Sequence, residues 1–360
     1  MTPGRYASLP GVRKIAVLRP NAVGDFVFAL PALHALRAAY PEAELVLLGR
    51  DWHAAFLAGR PGPVDRVVVV PPLPGIGLPA DAPGQAIADF VGAMRAENFD
   101  IACQMYGGGS YANPLVAAFG ARLTVGARAE GAPALERWVR YAEPANRRLA
   151  LLEVAGLAGA NTFSFGDALG NELALTEADR HAAAAVLAPE PGERLVVLQP
   201  GSTDPRRRWP ARSFALVGDA LARLGARVVV NGSVDEASLA GELLAAMAEP
   251  ALDLSGRLGL GGLCGLLARA ALVVSNDTGP LHLALALGRP CVGVFWLTNL
   301  IDGAPLRQGL LRVALALRVD CPVCGMPNLR SRCAHDASFV ADVPADEVIE
   351  LAMAALRDAS

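Results

Sequence analysis

The sequence predicts an α/β protein made of two doubly wound parallel sheets, and three observations carry that prediction. Apolar, β-branched runs recur along both halves with helical segments between them. The runs are continuous rather than alternating, as expected of strands covered by helices on both faces. A chain of 360 residues also has the length for two domains of ordinary size, each with its own core.

In the first half the expected strands are KIAVLR, AELVLLG, RVVVV, FDIACQM and ARLTVGA. The second half repeats the scheme with RLVVLQP, ARVVVNG, LDLSG, LVVSND and PCVGVF. Between them, LGNELALTEADRHAAAAVLAPEPGERL reads as a helix flanked by Gly and Pro. The boundary is therefore expected near Gly170 to Thr176, giving domains at 1–172 and 173–360. The last segment, VPADEVIELAMAALRDAS, starts with Asp346 and Glu347 and spaces Val348, Ile349, Met353 and Leu356 as an amphipathic helix would. It is expected to return to the N-terminal domain. Open sheets bind ligands at the carboxyl ends of their strands, so two in tandem are expected to share a cleft. The segment Pro71 to Gly84, too rich in Pro and Gly for regular structure, reads either as a loop over that cleft or as a plain surface loop.

Composition narrows the class. Hydrophobic residues make up 53% of the chain, yet no uncharged apolar run reaches the roughly 18 residues that a membrane span needs. The N-terminus has no apolar signal core, which points to the cytoplasm. Six Cys without small-domain spacing suit a reducing compartment, and a net charge of −3 gives no reason to expect nucleic acid. One local feature departs from this balance. From Arg122 to Arg148 six arginines face three acids, a net of +3. The segment reads as a solvated helical face or as a patch for an anionic acceptor that includes Arg137, Arg140 and Arg147.

Chemistry is expected at three strand-to-helix junctions. In LRPNAVGDFVFALPALHAL, an expected strand runs into Gly24 and Asp25, and a helix from Phe26 buries Ala29, Leu33 and Leu36. Asp25 is there either as a helix cap or as a carboxylate fit for general base work. In VVLQPGSTDPRRRWPARSFALVGDAL, the small and hydroxyl residues Gly201, Ser202 and Thr203 precede three guanidiniums and an aromatic, a set suited to a diphosphate. In VVSNDTGPLHLALALG, Asp277, Thr278 and Gly279 stand where a helix begins, so backbone N–H groups and the positive dipole end face an anion. His282 follows on the same face. A fourth segment, CPVCGMPNLRSRCAHD, offers Cys321, Cys324, Cys333 and His335 as a Cys₃His zinc set, or as reduced cysteines in a folded loop. Cys103, Cys264 and Cys291 sit in apolar runs and read as core.

These junctions together resemble glycosyltransferase family 9, the ADP-heptose:lipopolysaccharide heptosyltransferases. The resemblance rests on RPNAVGDFVFALPAL, PGSTDPRRRWP, NGSVDEASLA and SGRLGLGGLCGLLARAALVVSNDTGPLHLALALGRPCVGVF, in that order, and DCPVCG is similar to a Cys-bearing tail of many members. It implies a GT-B fold of two Rossmann-like domains facing a cleft. It also implies Asp25 as catalytic base, Ser202, Thr203 and Arg207 on the donor phosphates, and Asp277, Thr278, Gly279 and His282 at the donor-binding helix start. Arg207 stands where the family usually has Lys. After Gly232, where some members place a Glu near the nucleoside, this chain reads Ser233, Val234.

The activity so implied is an inverting transfer from a nucleotide sugar, with ADP-heptose as the family donor, to a lipopolysaccharide core or other surface glycan. Asp25 takes the acceptor proton while fixed donors stabilise the leaving diphosphate. The chain contains no Asp-x-Asp, so transfer is expected without a metal or other cofactor, apart from a structural zinc at the Cys cluster. A glycolipid acceptor further implies peripheral contact with the inner face of the cytoplasmic membrane. Two alternatives share the architecture: a sugar-nucleotide 2-epimerase, which needs no acceptor, and a non-catalytic nucleotide-sugar-binding module.

Overall fold

The computed structural model describes residues 6–76, 84–162, 171–329 and 331–358. The chain divides into two compact units, Met1–Leu169 and Gly170–Ser360.

The first unit holds strands β1 (Lys14–Leu18), β2 (Glu44–Gly49), β3 (Arg66–Val69), β4 (Ile101–Gln104), β5 (Leu123–Arg128) and β6 (Arg137–Arg140). Its helices are α1 (Val23–Ala39), α2 (Asp51–Leu57), α3 (Gly84–Ala96), α4 (Ala112–Ala117) and α5 (Arg147–Leu157). The strands form one parallel sheet in the order β3-β2-β1-β4-β5-β6. On one face Ala16, Leu18, Val46, Leu48 and Ala102 join Phe90 and Met94 of α3 and Leu115 and Val116 of α4 in a single apolar cluster. Side chains alternate along a strand, so Ile15 and Val17 face the other side and are equally buried. That double burial explains why the strands read as unbroken apolar runs.

The second unit holds β7 (Leu195–Gln199), β8 (Arg227–Val230), β9 (Leu252–Asp253), β10 (Leu272–Asn276), β11 (Cys291–Trp296) and β12 (Leu311–Ala316). Its helices are α6 (Glu177–Val186), α7 (Ala211–Arg223), α8 (Ala237–Ala246), α9 (Leu260–Arg269), α10 (Gly279–Ala286), α11 (Leu297–Gly303) and α12 (Ala345–Asp358). The parallel sheet runs β12-β11-β10-β7-β8-β9, the first unit's scheme again. The expectation of two doubly wound, Rossmann-like GT-B domains is thus met unit by unit. In each sheet the strand order reverses between the first and fourth strands, β1 and β4 in one and β7 and β10 in the other. Loops that leave the carboxyl ends of those strands are where such sheets hold ligands.

Several expectations are corrected. The helix after β1 starts at Val23, not Phe26, and its N-cap is Ala22, with no side-chain cap. The arginine-rich segment is not a helical face: Arg137–Arg140 is the edge strand β6, and Pro133 and Pro144 break any helix across it. The terminal helix α12 buries Val348, Ala352, Ala355 and Leu356 against α7 and β10–β12 of its own unit, since its apolar face completes the core beneath that sheet. Of the Pro/Gly-rich segment, residues 77–83 lie outside the described residues, and before them Leu73 and Ile76 form an isolated bridge. The expected boundary also falls partly on residues 163–170, which lie outside the described residues too.

Candidate active site

In the first unit the site is built where β1 hands over to α1. Asp25 occupies the third position of that helix, where a negative charge suits the helix dipole. Its side chain pairs with a neighbour instead of capping. Arg19, just past the end of β1, brings Nη2 within 3.1 Å of Asp25 Oδ1. The same guanidinium donates to the Asp25 carbonyl through Nε at 3.2 Å and Nη2 at 3.0 Å. Its Nη1 reaches the Met105 carbonyl beyond β4 at 2.5 Å. One side chain therefore ties together both loops at the strand-order reversal. The Arg19 side chain is 6% exposed and that of Asp25 is 39% exposed, so the cation is buried while the carboxylate is open to solvent. Burial lowers the Arg19 pKa, and the Asp25 charge opposes that shift.

The three candidate acceptor arginines do not form one face. Arg137 and Arg140 are three residues apart on a strand and so point to opposite sides. Arg137 donates to the Leu157 carbonyl at 2.8 Å and lies 4.3 Å over the Tyr6 ring. Arg140 is exposed. Arg147 pairs with Glu143 at 2.7 Å and donates to the Tyr141 hydroxyl at 2.9 Å.

In the second unit, both predicted anion-binding junctions leave strands at the order reversal, β7 and β10. After β7 the chain passes Gly201, Ser202 and Thr203 into a 3-10 turn, Pro205–Arg207. Asp204 caps that turn by accepting from the Arg206 backbone, and it also binds the Arg206 guanidinium at 3.0 Å (Nε) and 2.7 Å (Nη2). Arg208 donates to the Ser202 carbonyl at 2.8 Å. Two of the three guanidiniums are thus used to fold the loop. Arg207, between them, sends Nη1 to Asp277 Oδ2 at 3.2 Å, and its Nε has no partner within hydrogen-bond reach among the described residues. Ser202 is 1% exposed and its hydroxyl is likewise unpartnered among the described residues. An unmatched buried hydroxyl beside an arginine suits an acceptor-rich ligand such as phosphate. Thr203 is exposed.

After β10, Thr278 is the N-cap of α10, and its side chain makes no cap bond. Pro280 carries no N–H, and Leu281 N–H already bonds the Thr278 carbonyl at 3.1 Å. The first-turn N–H left over is that of Gly279. Asp277 is buried and accepts from both neighbours, with Oδ1 2.9 Å from His282 Nε2 and Oδ2 on Arg207. Burial would raise its pKa, but His282 and Arg207 outweigh burial and hold it below the usual carboxylate range. The Asp277 carboxylate therefore aims at two side chains of the site, orienting both.

Two residues of this site were not singled out from the sequence. Asn276, fully buried, accepts from Trp209 N–H at 3.0 Å and donates to the Pro200 carbonyl at 2.6 Å, clasping both ends of the loop that carries Arg207. Trp209 itself is fully buried and packs edge-on to Phe214. Glu236 closes a capping box with Ser233, and a Cβ placed on Gly201 would fall 2.0 Å from its Oε1. Glycine lets the loop lie against that carboxylate, and a Cβ there would push the Glu236 side chain aside. The S-x-x-E spacing was the available signal for Glu236.

The sulfurs of Cys321, Cys324 and Cys333 and a ring nitrogen of His335 all lie within 4.8 Å of one another. Cys321 Sγ is 3.7 Å from His335 Nδ1, close to the roughly 3.6 Å edge that tetrahedral Zn–S and Zn–N bonds would give. Val323 N–H points at Cys321 Sγ at 3.4 Å, and Gly325 takes φ +70°, the left-handed turn that brings Cys324 round. The His335 backbone N–H, chiefly, brings the Cys333 thiol down to about 6, toward the thiolate that a metal requires. These four residues fit a thiolate-binding metal.

Two six-stranded sheets of one topology, each with polar side chains gathered where its strand order reverses, define a doubly wound α/β protein with a topological switch point in each unit. Residues 87–318 match the profile of glycosyltransferase family 9 (heptosyltransferase). The chain belongs to that family and is a glycosyltransferase. It is 25% identical over 294 residues to lipopolysaccharide heptosyltransferase 2 of Escherichia coli, covering 78% of this chain and 82% of the relative. With lipooligosaccharide heptosyltransferase 2 of Haemophilus influenzae it shares 30% identity over 114 residues, 30% of this chain and 33% of the relative. In fold it is similar to the family 9 glycosyl transferase of Veillonella parvula, with a TM-score of 0.76 over 96% of this chain and 97% of the other at 19% identity.

Proposed function

We propose that the protein transfers heptose from ADP-heptose to a lipopolysaccharide core or related surface glycan, with inversion at the anomeric carbon. The observation that carries this reading is Asp25, whose open carboxylate is held by buried Arg19 and is not spent as a helix cap. Asp25 would accept the proton of the acceptor hydroxyl as that oxygen attacks the anomeric carbon and the nucleoside diphosphate leaves. Charge then grows on the diphosphate, where the Ser202 hydroxyl, the Arg207 guanidinium, Thr203 and the Thr278–Gly279 helix start would receive it. His282 would act through Asp277. Glu236, beside Gly201, would meet the nucleoside part of the donor.

Transfer in this reading needs no metal at the reacting atoms, because fixed cations and N–H groups do the work that an Asp-x-Asp clamp does elsewhere. The Cys321, Cys324, Cys333 and His335 set would hold a structural zinc, which supplies cross-linking of its loop. The enzyme would act in the cytoplasm, meeting a glycolipid acceptor at the inner face of the membrane. Among the described residues no helix is long and apolar enough to cross one.

The test is incubation of purified protein with ADP-heptose and a heptose-deficient core acceptor, with the product followed by mass spectrometry and its anomeric configuration by NMR. A product of inverted configuration, formed equally with and without added Mg²⁺ or Mn²⁺, is expected. An epimer formed from the nucleotide sugar alone would replace the transferase by the isomerase, and donor binding without any product would leave a binding module. Family membership favours transfer over both.

A further inference from the structure

The Cys₃His segment folds directly onto the loop that carries Arg207. Asn328, 6% exposed, lies between the second and third cysteines. Its Oδ1 accepts from Cys333 N–H at 3.3 Å and from Arg206 Nη1 at 3.4 Å, while its Nδ2 points at Cys333 Sγ at 3.6 Å and donates to the Met326 carbonyl at 2.8 Å. One amide thus touches a metal-ligand residue and a guanidinium of the donor loop.

Beyond His335 the chain makes two more attachments. Phe339 N–H donates to the Arg206 carbonyl at 2.8 Å, and Ser338 Oγ donates to the Arg208 carbonyl at 2.7 Å. These bonds hold the residues immediately before and after Arg207. Phe339 is anchored in turn by the Trp296 ring, with centroids 4.4 Å apart, and the Arg206 guanidinium lies 5.8 Å over that same ring. A loop of this length without regular structure needs something to fix it, and a four-ligand metal knot fixes it without a helix or strand.

We propose that the Cys321, Cys324, Cys333 and His335 knot is a brace for the donor-binding loop, with Asn328 as the positioning residue that joins metal site to Arg206 and so sets Arg207. The inference rests on the structural-metal reading above. Outer residues that orient metal ligands commonly change affinity or activity by 10- to 100-fold when removed. Here that change is expected in donor affinity.

The experiment uses full-length protein, with metal content by mass spectrometry, amide exchange of residues 201–209, and calorimetric titration with ADP. Asn328→Ala should retain metal, expose the 201–209 amides to faster exchange, and weaken ADP binding roughly tenfold. Asn328→Asp keeps the acceptor oxygen for Arg206 and Cys333 N–H but turns an oxygen toward the Met326 carbonyl and Cys333 Sγ, so it should restore protection in part, to a level between Asn328→Ala and the wild type. Should Asn328→Ala fail to fold, Ser338→Ala removes the Arg208 attachment without touching a ligand and is expected to act in the same direction. A metal-loaded Asn328→Ala whose loop exchanges and binds ADP as the wild type does would overturn the brace. Wild-type protein that takes up neither Zn²⁺ nor Fe²⁺ would remove the knot itself, a separate outcome read from metal content alone.

Discussion

Arg19 Nη2 stands 3.1 Å from Asp25 Oδ1, and the arginine is buried while the aspartate is open. The pairing separates two roles that residue type alone leaves open. A capping Asp would accept a backbone N–H of α1, whereas this one faces a guanidinium and solvent. Asp25→Asn keeps the shape of the side chain and removes its ability to accept a proton at neutral pH. The variant should therefore fold and bind ADP normally, yet lose roughly 10² to 10⁴ in kcat, the usual worth of a positioned base. Single-turnover transfer and ADP titration on one preparation check it; near-normal turnover would take Asp25 out of the chemistry.

How far the sequence reveals this molecule depends on the distance between partners. Continuous runs such as LVVLQ and LVVSN are legible because a strand buried on both faces must be apolar at every position. Strand β6 is not, since an edge strand needs little burial and RWVR offers charges at both ends. The junction residues are legible as types: Ser, Thr, Arg and Gly at a strand end read as a candidate anion site. Asn276 was not, because its two partners lie 67 and 76 residues away, and Asn328 was not, because its bond to Arg206 spans 122. An amide whose whole function is to join distant backbone segments leaves no periodic or local mark. The direction of Asp277 was hidden for the same reason, with Arg207 70 residues earlier.

Asn276 gives a stability prediction. Asn276→Ala leaves the Trp209 N–H and the Pro200 carbonyl buried and unpaired, at about 1–3 kcal/mol each, so a loss of about 2–6 kcal/mol is expected. Asn276→Asp keeps the acceptor for Trp209 but turns an oxygen toward the Pro200 carbonyl, and it buries a charge. Urea denaturation should rank both below the wild type, and a variant within 0.5 kcal/mol of it (about the scatter of neutral substitutions) would show that the clasp carries no load.

His53 gives a pH prediction. It is fully buried, stacked on Trp52 at 3.7 Å, and accepts from Arg50 N–H through Nδ1. Burial, with help from Arg50 and Arg19, lowers its pKa from 6.5 to about 3. The unfolded chain therefore binds this proton first as pH falls, and stability must drop with acid between those two values. From pH 7 to pH 5 this one group should cost about 2 kcal/mol. His53→Gln should flatten the slope of unfolding free energy over that interval by up to one proton, whatever its absolute stability. An unchanged slope would mean that His53 is not held neutral.

Asp277 allows a test whose sign decides the matter. A carboxylate near the proposed diphosphate site should repel the ligand if it acts only as a charge, so Asp277→Asn would then tighten ADP binding. The geometry argues for the opposite result. Asp277 Oδ2 restrains Arg207 and Oδ1 restrains His282. Asn can keep an oxygen toward His282, but its NH₂ would face the Arg207 guanidinium, donor against donor, and release it. Binding should weaken by about tenfold, equivalent to about 1.4 kcal/mol. If the loss runs through Arg207, adding Asp277→Asn to Arg207→Gln should cost little more than Arg207→Gln alone, the non-additivity expected of residues in contact. Because the pKa of Asp277 is depressed, its charge is present above the ordinary carboxylate value and is lost only as pH falls through the lowered one. The wild-type affinity should thus show no Asp277 titration from pH 6 to 8. Tighter binding by Asp277→Asn would assign the residue to ligand repulsion and leave Arg207 to be positioned by its own loop.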